Sequence, residues 1–95
     1  MKAVRIFYDK QVLPDESVIE MVIWKLPRPE PGRPHGLKYR LYYGGDGVRL
    51  VGYDNERGKG DHRYRGIREE RYQFTSVEAL VADFTRDVLR KRGAS

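Results

Sequence analysis

The sequence predicts an α+β fold in which an antiparallel sheet of four to five strands is packed by one C-terminal helix. Two patterns predict it. Over residues 2–13, 37–43 and 48–53 apolar and polar residues largely alternate, which is the period of a β-strand, and over residues 77–88 apolar residues recur with the period of an α-helix. A chain of 95 residues has room for one hydrophobic core, so we expect a single domain over residues 1–95. A ferredoxin-like arrangement of this sheet and helix is one candidate for the fold.

The first two strands are predicted over residues 2–13 and 17–26. In the first, alternating apolar residues from Val4 to Tyr8 share one face, which is typical of a strand with one side in solvent. A turn that contains proline follows it. The second strand is apolar on both faces and includes Trp24. We therefore expect it at the centre of the sheet, or with its second face in a dimer interface.

A proline-rich connector and a hairpin follow. Four prolines within residues 27–34 exclude helix and strand, and predict an exposed, polyproline-like connector. Residues 37–43 and 48–53 alternate again, and three glycines in residues 44–47 predict the tight turn of a β-hairpin. Glycine adopts the positive φ angles that such turns need.

The C-terminal part of the chain predicts a helix. Residues 54–71 show no period, so we expect a loop there, followed by a short strand at residues 72–74. Thr75 begins a capping-box pattern, because Glu78 follows three positions later. Gly93 ends the predicted helix. The apolar stripe of this helix consists of Val77, Leu80, Val81, Phe84 and Val88.

The composition excludes several classes of protein. Hydrophobic residues make up 39% of the chain, and no apolar run approaches the ~18 residues of a membrane-spanning helix. The N-terminal residues lack the apolar segment of a secretion signal. The chain has no cysteine, which excludes disulfides, thiolate zinc sites and thiol catalysis. We therefore expect a cytoplasmic protein that does not bind membranes.

The positive charge of the chain is concentrated in its middle. The net charge is +5, and residues 28–72 carry eleven basic and seven acidic side chains. Arginine supplies 13 of the 19 cations, and its planar guanidinium matches the geometry of phosphate. This distribution indicates a polyanionic partner such as nucleic acid. A solvated basic surface is the alternative.

Residues 53–66 combine acids, bases and glycines, and predict a site for phosphate chemistry. Histidine titrates near neutral pH, so His62 could take a proton from a ribose 2′-hydroxyl or give one to a leaving oxygen. Asp54 or Glu56 would be its counterpart. The glycines allow a backbone that turns N–H groups toward an anion. The candidate nucleic-acid-binding residues are Arg57, Lys59, Arg63, Arg65, Lys38, Arg40, Tyr53 and Tyr64.

The same segment allows two other interpretations. Asp54, Glu56 and Asp61, with His62 beside them, are ligands of the kind that hold Mg²⁺ or Mn²⁺ in nucleases, although the neighbouring cations oppose a dication. Alternatively, the Asp, Asn and Gly residues form the turns of a solvated loop. The candidate catalytic residues are His62, Asp54, Glu56 and Asp61.

The residues from Asp54 to Arg63 resemble the signature of the TumE-like toxins, and the most specific part is Gly58-Lys59-Gly60-Asp61-His62. The supporting segments are residues 12–15, 19–24, 35–41, 68–70 and 80–84, with Tyr72 and Phe74. The resemblance therefore spans almost the whole chain, as one TumE-like domain. Members of this family often have a second histidine at the position of Tyr64.

This resemblance implies a toxin of a two-component toxin–antitoxin system, whose partner is a DNA-binding antitoxin encoded beside it. For its activity we expect a nuclease that cleaves RNA, with DNA as a second candidate substrate. The alternative is a non-catalytic basic module that binds nucleic acid or the antitoxin. The apolar second strand also predicts a homodimer. A looser analogy, to the small ferredoxin-like nucleases of CRISPR adaptation, makes Asp9 a further candidate carboxylate.

Overall fold

The computed structural model describes residues 2–56 and 58–93. They form one antiparallel sheet and one helix. The elements are β1 (Val4–Val12), β2 (Val18–Lys25), β3 (Leu37–Gly45), β4 (Val48–Asp54), β5 (His62–Arg65), β6 (Arg68–Arg71) and α1 (Val77–Lys91). The predicted α+β class is confirmed, with six strands rather than four to five. No helix in this described part is long and apolar enough to cross a membrane.

The two additional strands, β5 and β6, form a hairpin within the stretch that the sequence predicts as a loop. Residues on the helix-facing side of this hairpin are charged and pair with one another, so no apolar period is visible in the sequence. Arg65 lies 2.5 Å and Arg63 lies 3.5 Å from Glu70. The strand predicted at residues 72–74 is not formed.

Neighbouring strands in the sheet are consecutive in sequence, in the order β1-β2-β3-β4-β5-β6. The chain is thus a meander, in which turns and loops connect antiparallel strands. A ferredoxin-like fold needs helical crossovers between strands, whereas α1 follows all six strands. The ferredoxin-like expectation is therefore not confirmed within the described residues.

The helix α1 packs across one face of the sheet through the apolar stripe that the sequence predicts. Leu80, Phe84 and Val88 are buried on this stripe. The sheet residues of the same core are Ile23, Tyr39, Leu41, Tyr43, Val51 and Tyr53. Ser76, rather than the predicted Thr75, is the N-cap, because its Oγ accepts a 3.0 Å hydrogen bond from the amide three residues later.

The strand β1 forms one edge of the sheet, and its apolar side chains are exposed. The exposed residues are Val4, Ile6, Phe7, Tyr8 and Val12. The buried face predicted for this strand is therefore not formed, because α1 packs over β2–β4. A β-bulge between Arg5 and Phe7 also interrupts the alternation of side chains along the strand.

Candidate functional site

The face of the sheet opposite α1, called the open face from here on, carries most of the predicted site residues. Side chains alternate between the two faces of a sheet, so the residues adjacent to the core positions lie on the open face. Two rows of direct cross-strand partners run across β3–β6: Arg40, Asp54, His62 and Arg71 in the first, and Tyr42, Gly52, Tyr64 and Glu69 in the second.

Asp54 ends β4 and lies in the middle of the first row. Its Oδ1 atom is buried and has no hydrogen-bond partner among the described residues. Burial, reinforced by the charge of Glu56, raises the pKa of the carboxyl group, and the charges of Arg49, Lys59 and His62 oppose the rise. Such a carboxylate binds a proton more strongly than an ordinary aspartate does, which suits a general base.

His62 begins β5 and is the direct cross-strand partner of Asp54. Its Nε2–H donates a 2.7 Å hydrogen bond to the backbone carbonyl of Lys59, and this bond fixes the orientation of the ring. Its Nδ1 atom is buried without a hydrogen bond, and the carboxylate of Glu69 lies 3.4 Å away, at ion-pair distance. The imidazole ring of His62 therefore lies between the carboxylates of Asp54 and Glu69.

Lys38, Arg40 and Arg49 are cations of the open face whose contacts the structure defines. The ammonium of Lys38 lies 5.0 Å from the centre of the Trp24 ring, and the guanidinium of Arg49 lies 3.6 Å from that of Tyr64. The side chain of Arg40 is 64% exposed and lies 3.7 Å from a carboxylate oxygen on β2. Solvent screens such a pair, so the charge of Arg40 is only weakly neutralised by this contact.

Gly52 creates the space in which Arg49 reaches Tyr64. A Cβ atom at position 52 would lie 2.8 Å from Cδ of Arg49, closer than two such carbon atoms approach. Any other residue would displace the guanidinium from the ring. The glycine therefore sets the position of one cation on the open face.

Two adjoining cavities open on this face. The larger, of about 630 Å³, is lined by Trp24, and the smaller, of about 430 Å³, is lined by Tyr42. Arg40, Asp54 and Glu56 line both cavities. Asp54 therefore lies where the two cavities adjoin.

Asp61, a predicted catalytic residue, lies away from the open face and is part of a buried cluster. Its Oδ1 accepts a 2.6 Å hydrogen bond from the Tyr39 hydroxyl and a 3.0 Å one from Nε2–H of His35. The side-chain amide of Asn55 lies 3.4 Å from the same oxygen. Burial, with the help of Asp61, raises the pKa of Tyr39, so its hydroxyl keeps its proton. Asp61 is therefore a hydrogen-bond acceptor for at least two side chains of this cluster.

The same cluster anchors the proline-rich connector, which the sequence predicts to be exposed. Asn55 is fully buried; it accepts a hydrogen bond from the Tyr39 amide at 3.0 Å and donates one to the carbonyl of Leu37 at 2.9 Å. Arg33 is also buried, and its Nε–H donates a 2.7 Å hydrogen bond to the Asn55 carbonyl. The connector is thus fixed to the loop after β4.

Three of the predicted nucleic-acid-binding residues face α1 instead of the open face. Tyr53 is fully buried in the core, so no base can stack on it, and its hydroxyl donates a hydrogen bond to Asp87. Arg63 and Arg65 pair with Glu70, as described for the hairpin. The structure therefore does not bring these three residues together with Asp54 and His62, because successive residues of a strand point to opposite faces.

Most of the remaining predicted residues lie on the open face or next to it. Lys38, Arg40 and Tyr64 lie on the open face with Asp54 and His62. Lys59 and Glu56 are exposed next to this face, and the Lys59 carbonyl orients His62. Arg57 lies outside the described residues.

The metal site predicted from Asp54, Glu56 and Asp61 is not formed. Over residues 2–56 and 58–93, no three His, Asp or Glu side chains lie close enough together to hold a metal ion. The carboxylate of Asp61 is used by Tyr39 and His35.

Four residues of the open face were not predicted as site residues: Trp24, Tyr42, Arg49 and Gly52. The feature that would identify them is the register of the strands. Once Asp54 is placed on the open face, alternation places Gly52 there, and strand pairing adds Tyr42 opposite Gly52 and Trp24 opposite Lys38. Arg49 reaches this face because the register shifts between Tyr43 and Gly44. The register itself depends on the bulge after Tyr43, which the sequence does not show.

Together, the meander, the single helix and the polar open face define a small, basic α+β protein with two adjoining cavities on one face of its sheet. Residues 2–92 match the family model described as Toxin TumE. The chain therefore belongs to the TumE toxin family, and the resemblance seen in the sequence is confirmed. Membership indicates a toxin of a toxin–antitoxin system with an antitoxin partner. No curated protein and no solved structure matches the chain.

Proposed function

We propose that this toxin is a ribonuclease that binds RNA across the open face and cleaves it between the two cavities. The main support for this proposal is the pairing and burial of two residues. Asp54 and His62 are direct cross-strand partners, and each has a buried polar atom without a hydrogen bond. Unsatisfied buried groups cost stability, so such a pair on a face lined with cations favours a chemical role over a structural one.

The proposed reaction is a transfer of the phosphoryl group to the neighbouring ribose hydroxyl. The carboxylate of Asp54 takes the proton of a 2′-hydroxyl, and the resulting oxygen forms a bond to the adjacent phosphorus. The bond from phosphorus to the 5′ oxygen breaks, and His62 gives its proton to that oxygen. Arg40 stabilises the extra negative charge on the phosphate. The products are a 2′,3′-cyclic phosphate and a 5′-hydroxyl.

Cleavage of a labelled RNA by wild type, Asp54→Asn and His62→Ala tests this proposal. General acid–base groups contribute about 10²–10⁴-fold to rates, so each variant should lose at least about 10²-fold while it still binds RNA. Asp9→Asn is a matched control, because Asp9 lies on β1 and its carboxylate contacts Gln11 at 3.0 Å. An RNA with a 2′-deoxyribose at the cleaved position should resist cleavage. Full activity of folded Asp54→Asn and His62→Ala would contradict the proposal.

We also propose that the antitoxin binds the β1 edge through an extended segment that adds a strand to the sheet. The other edge, β6, is four residues long and its sequence is Arg-Glu-Glu-Arg, features that prevent strand addition. By contrast, β1 has nine residues, and Ile6 and Phe7 border an apolar groove with Val77 and Val81 of α1. Its open-face cations, Arg5 and Lys10, favour an acidic segment.

Substitutions at the β1 edge distinguish two candidate occupants of that edge, which are the antitoxin and a second copy of this chain. Ile6→Asp and Phe7→Asp should weaken binding of the antitoxin encoded beside this toxin at least tenfold, and Arg68→Asp on β6 should not. The homodimer that the sequence predicts stays a prediction. If the isolated chain sediments as a dimer that Ile6→Asp dissociates, while antitoxin affinity is unchanged, a second copy occupies the edge and the antitoxin proposal fails.

A further inference from the structure

We propose that Trp24 is a stacking platform for one base of the nucleic acid, so that the ligand of the open face is single-stranded. This inference rests on the proposed function and specifies its substrate class. The sequence suggests a core or dimer position for Trp24, but the structure places it on the open face. Its direct partners there are Arg5 on β1 and Lys38 on β3.

The larger cavity has the size and the lining of a nucleotide site. Its volume of about 630 Å³ is in the range of small-molecule binding sites. Trp24 and Val22 give it an apolar wall, and its charged lining combines cations, among them Lys38 and Arg40, with three acidic residues. An aromatic wall beside cations is the combination that binds the base and the phosphate of a single strand.

The ring of Trp24 is half-buried, and the side chain that contacts its face is exposed enough to be displaced by a base. The ammonium of Lys38 lies over it at 5.0 Å from the ring centre, and Lys38 is itself exposed. An exposed cation–aromatic contact is weaker than stacking of a base on an aromatic ring. A base can therefore displace the ammonium, which then binds the neighbouring phosphate.

The position of the cavity connects this base to the proposed reaction. Arg40 and Asp54 line the larger cavity together with Trp24, and both also line the smaller one. A base on Trp24 would therefore direct the adjoining phosphate to Arg40, beside the carboxyl group of Asp54. The bases of a duplex remain stacked inside the helix, so a duplex cannot supply this contact.

The fluorescence of Trp24 measures the contact directly, because the chain has one tryptophan. The probes are a short 2′-O-methyl RNA, which lacks the free 2′-hydroxyl, the same strand annealed to its complement, and an abasic strand of the same length. Binding of each is followed separately by the anisotropy of a label on the strand. The single strand should quench the tryptophan, whereas the duplex and the abasic strand should not.

A pair of variants completes the test. Trp24→Leu should weaken binding of the single strand roughly tenfold, the loss expected for one stacked base, and leave binding of the abasic strand unchanged. Phe7→Leu, on an exposed aromatic residue of the opposite face, should change neither. Binding of the single strand without quenching overturns this inference alone. Absence of binding by anisotropy overturns the proposed function as well, and equal quenching by the duplex overturns single-strand selectivity.

Discussion

The hydroxyl group of Tyr39 donates a 2.6 Å hydrogen bond to Oδ1 of Asp61, an oxygen that also accepts from His35. This relationship separates the two acidic residues that the sequence motif brings together. Asp61 stabilises the junction of the connector with the loop after β4, whereas Asp54 lies on the open face between the two cavities. The residues of the motif that predicts a single site are thus divided between the cluster around Asp61 and the candidate reaction centre around Asp54.

Asp61→Ala should lower the free energy of unfolding by about 2–3 kcal/mol, because Tyr39 and His35 lose a buried acceptor. The folded fraction should still cleave RNA at low temperature. Urea unfolding and cleavage, both measured at 10 °C, check this. An Asp61→Ala protein of wild-type stability and without cleavage would instead assign Asp61 to the reaction.

Tyr53→Phe should destabilise the protein by about 1–3 kcal/mol, since it leaves the buried carboxylate of Asp87 without the hydroxyl that donates to it. Burial, with the bond to Asp87, raises the pKa of Tyr53 to about 12, so the hydroxyl is protonated at neutral pH. Tyr8→Phe is the control, because its bond to Glu20 is exposed. Equal effects of the two substitutions on urea midpoints would contradict the assignment.

Asp54→Asn should make the protein more stable at pH 7 while it removes cleavage. Burial raises the pKa of Asp54 above the ordinary value of 3.8, so folding favours the protonated carboxyl. The stabilisation from that proton is fully present below the unfolded-state pKa and is lost as pH rises through the folded-state pKa. At pH 7 the ionised, partly buried carboxylate therefore costs stability, and the neutral amide does not.

Thermal unfolding of wild type and Asp54→Asn between pH 3 and 7 checks this expectation. The gain in stability at pH 7, of about 1 kcal/mol, should shrink as the pH approaches the unfolded-state value. The cleavage rate of wild type should fall on the acidic side as Asp54 gains its proton. If the stability of Asp54→Asn minus that of wild type is smaller at pH 7 than at pH 4, the expected direction of the pKa shift of Asp54 is contradicted.

Removal of single open-face cations should weaken RNA binding and its dependence on salt. If Arg40 and Arg49 each bind one phosphate, Arg40→Gln and Arg49→Gln should each reduce the slope of log K against log salt by about 0.7 for a single strand. Arg65→Gln is the matched control, because Arg65 pairs with Glu70 on the opposite face. A loss of slope for Arg65→Gln alone would place the RNA on the helix side.

Much of the fold can be predicted from local patterns. The stripe from Leu80 to Val88 predicts α1, and the glycines after Tyr43 predict the β3–β4 hairpin, because both signals depend on neighbouring residues alone. The β5–β6 hairpin is missed because its inward side chains are ion pairs instead of apolar residues. The exposure of β1 is missed because it depends on where α1 packs.

The candidate site is only partly predictable for a related reason. Asp54 and His62 stand out by residue type and lie on the predicted segment. Tyr53 and Arg63 stand out equally, but lie on the other face, and only the strand register decides between the faces. Trp24 is more than thirty residues away from His62 in sequence, and β3 and β4 lie between their strands.

Amide chemical-shift changes on addition of a 2′-O-methyl RNA strand to the labelled protein would locate the RNA-binding face. We expect the largest changes on the open face, around Trp24, Arg40, Gly52 and His62, and little change in α1 and at the outer edge of β1. Changes confined to α1 or to the β5–β6 side that carries Arg63 and Arg65 would contradict this expectation.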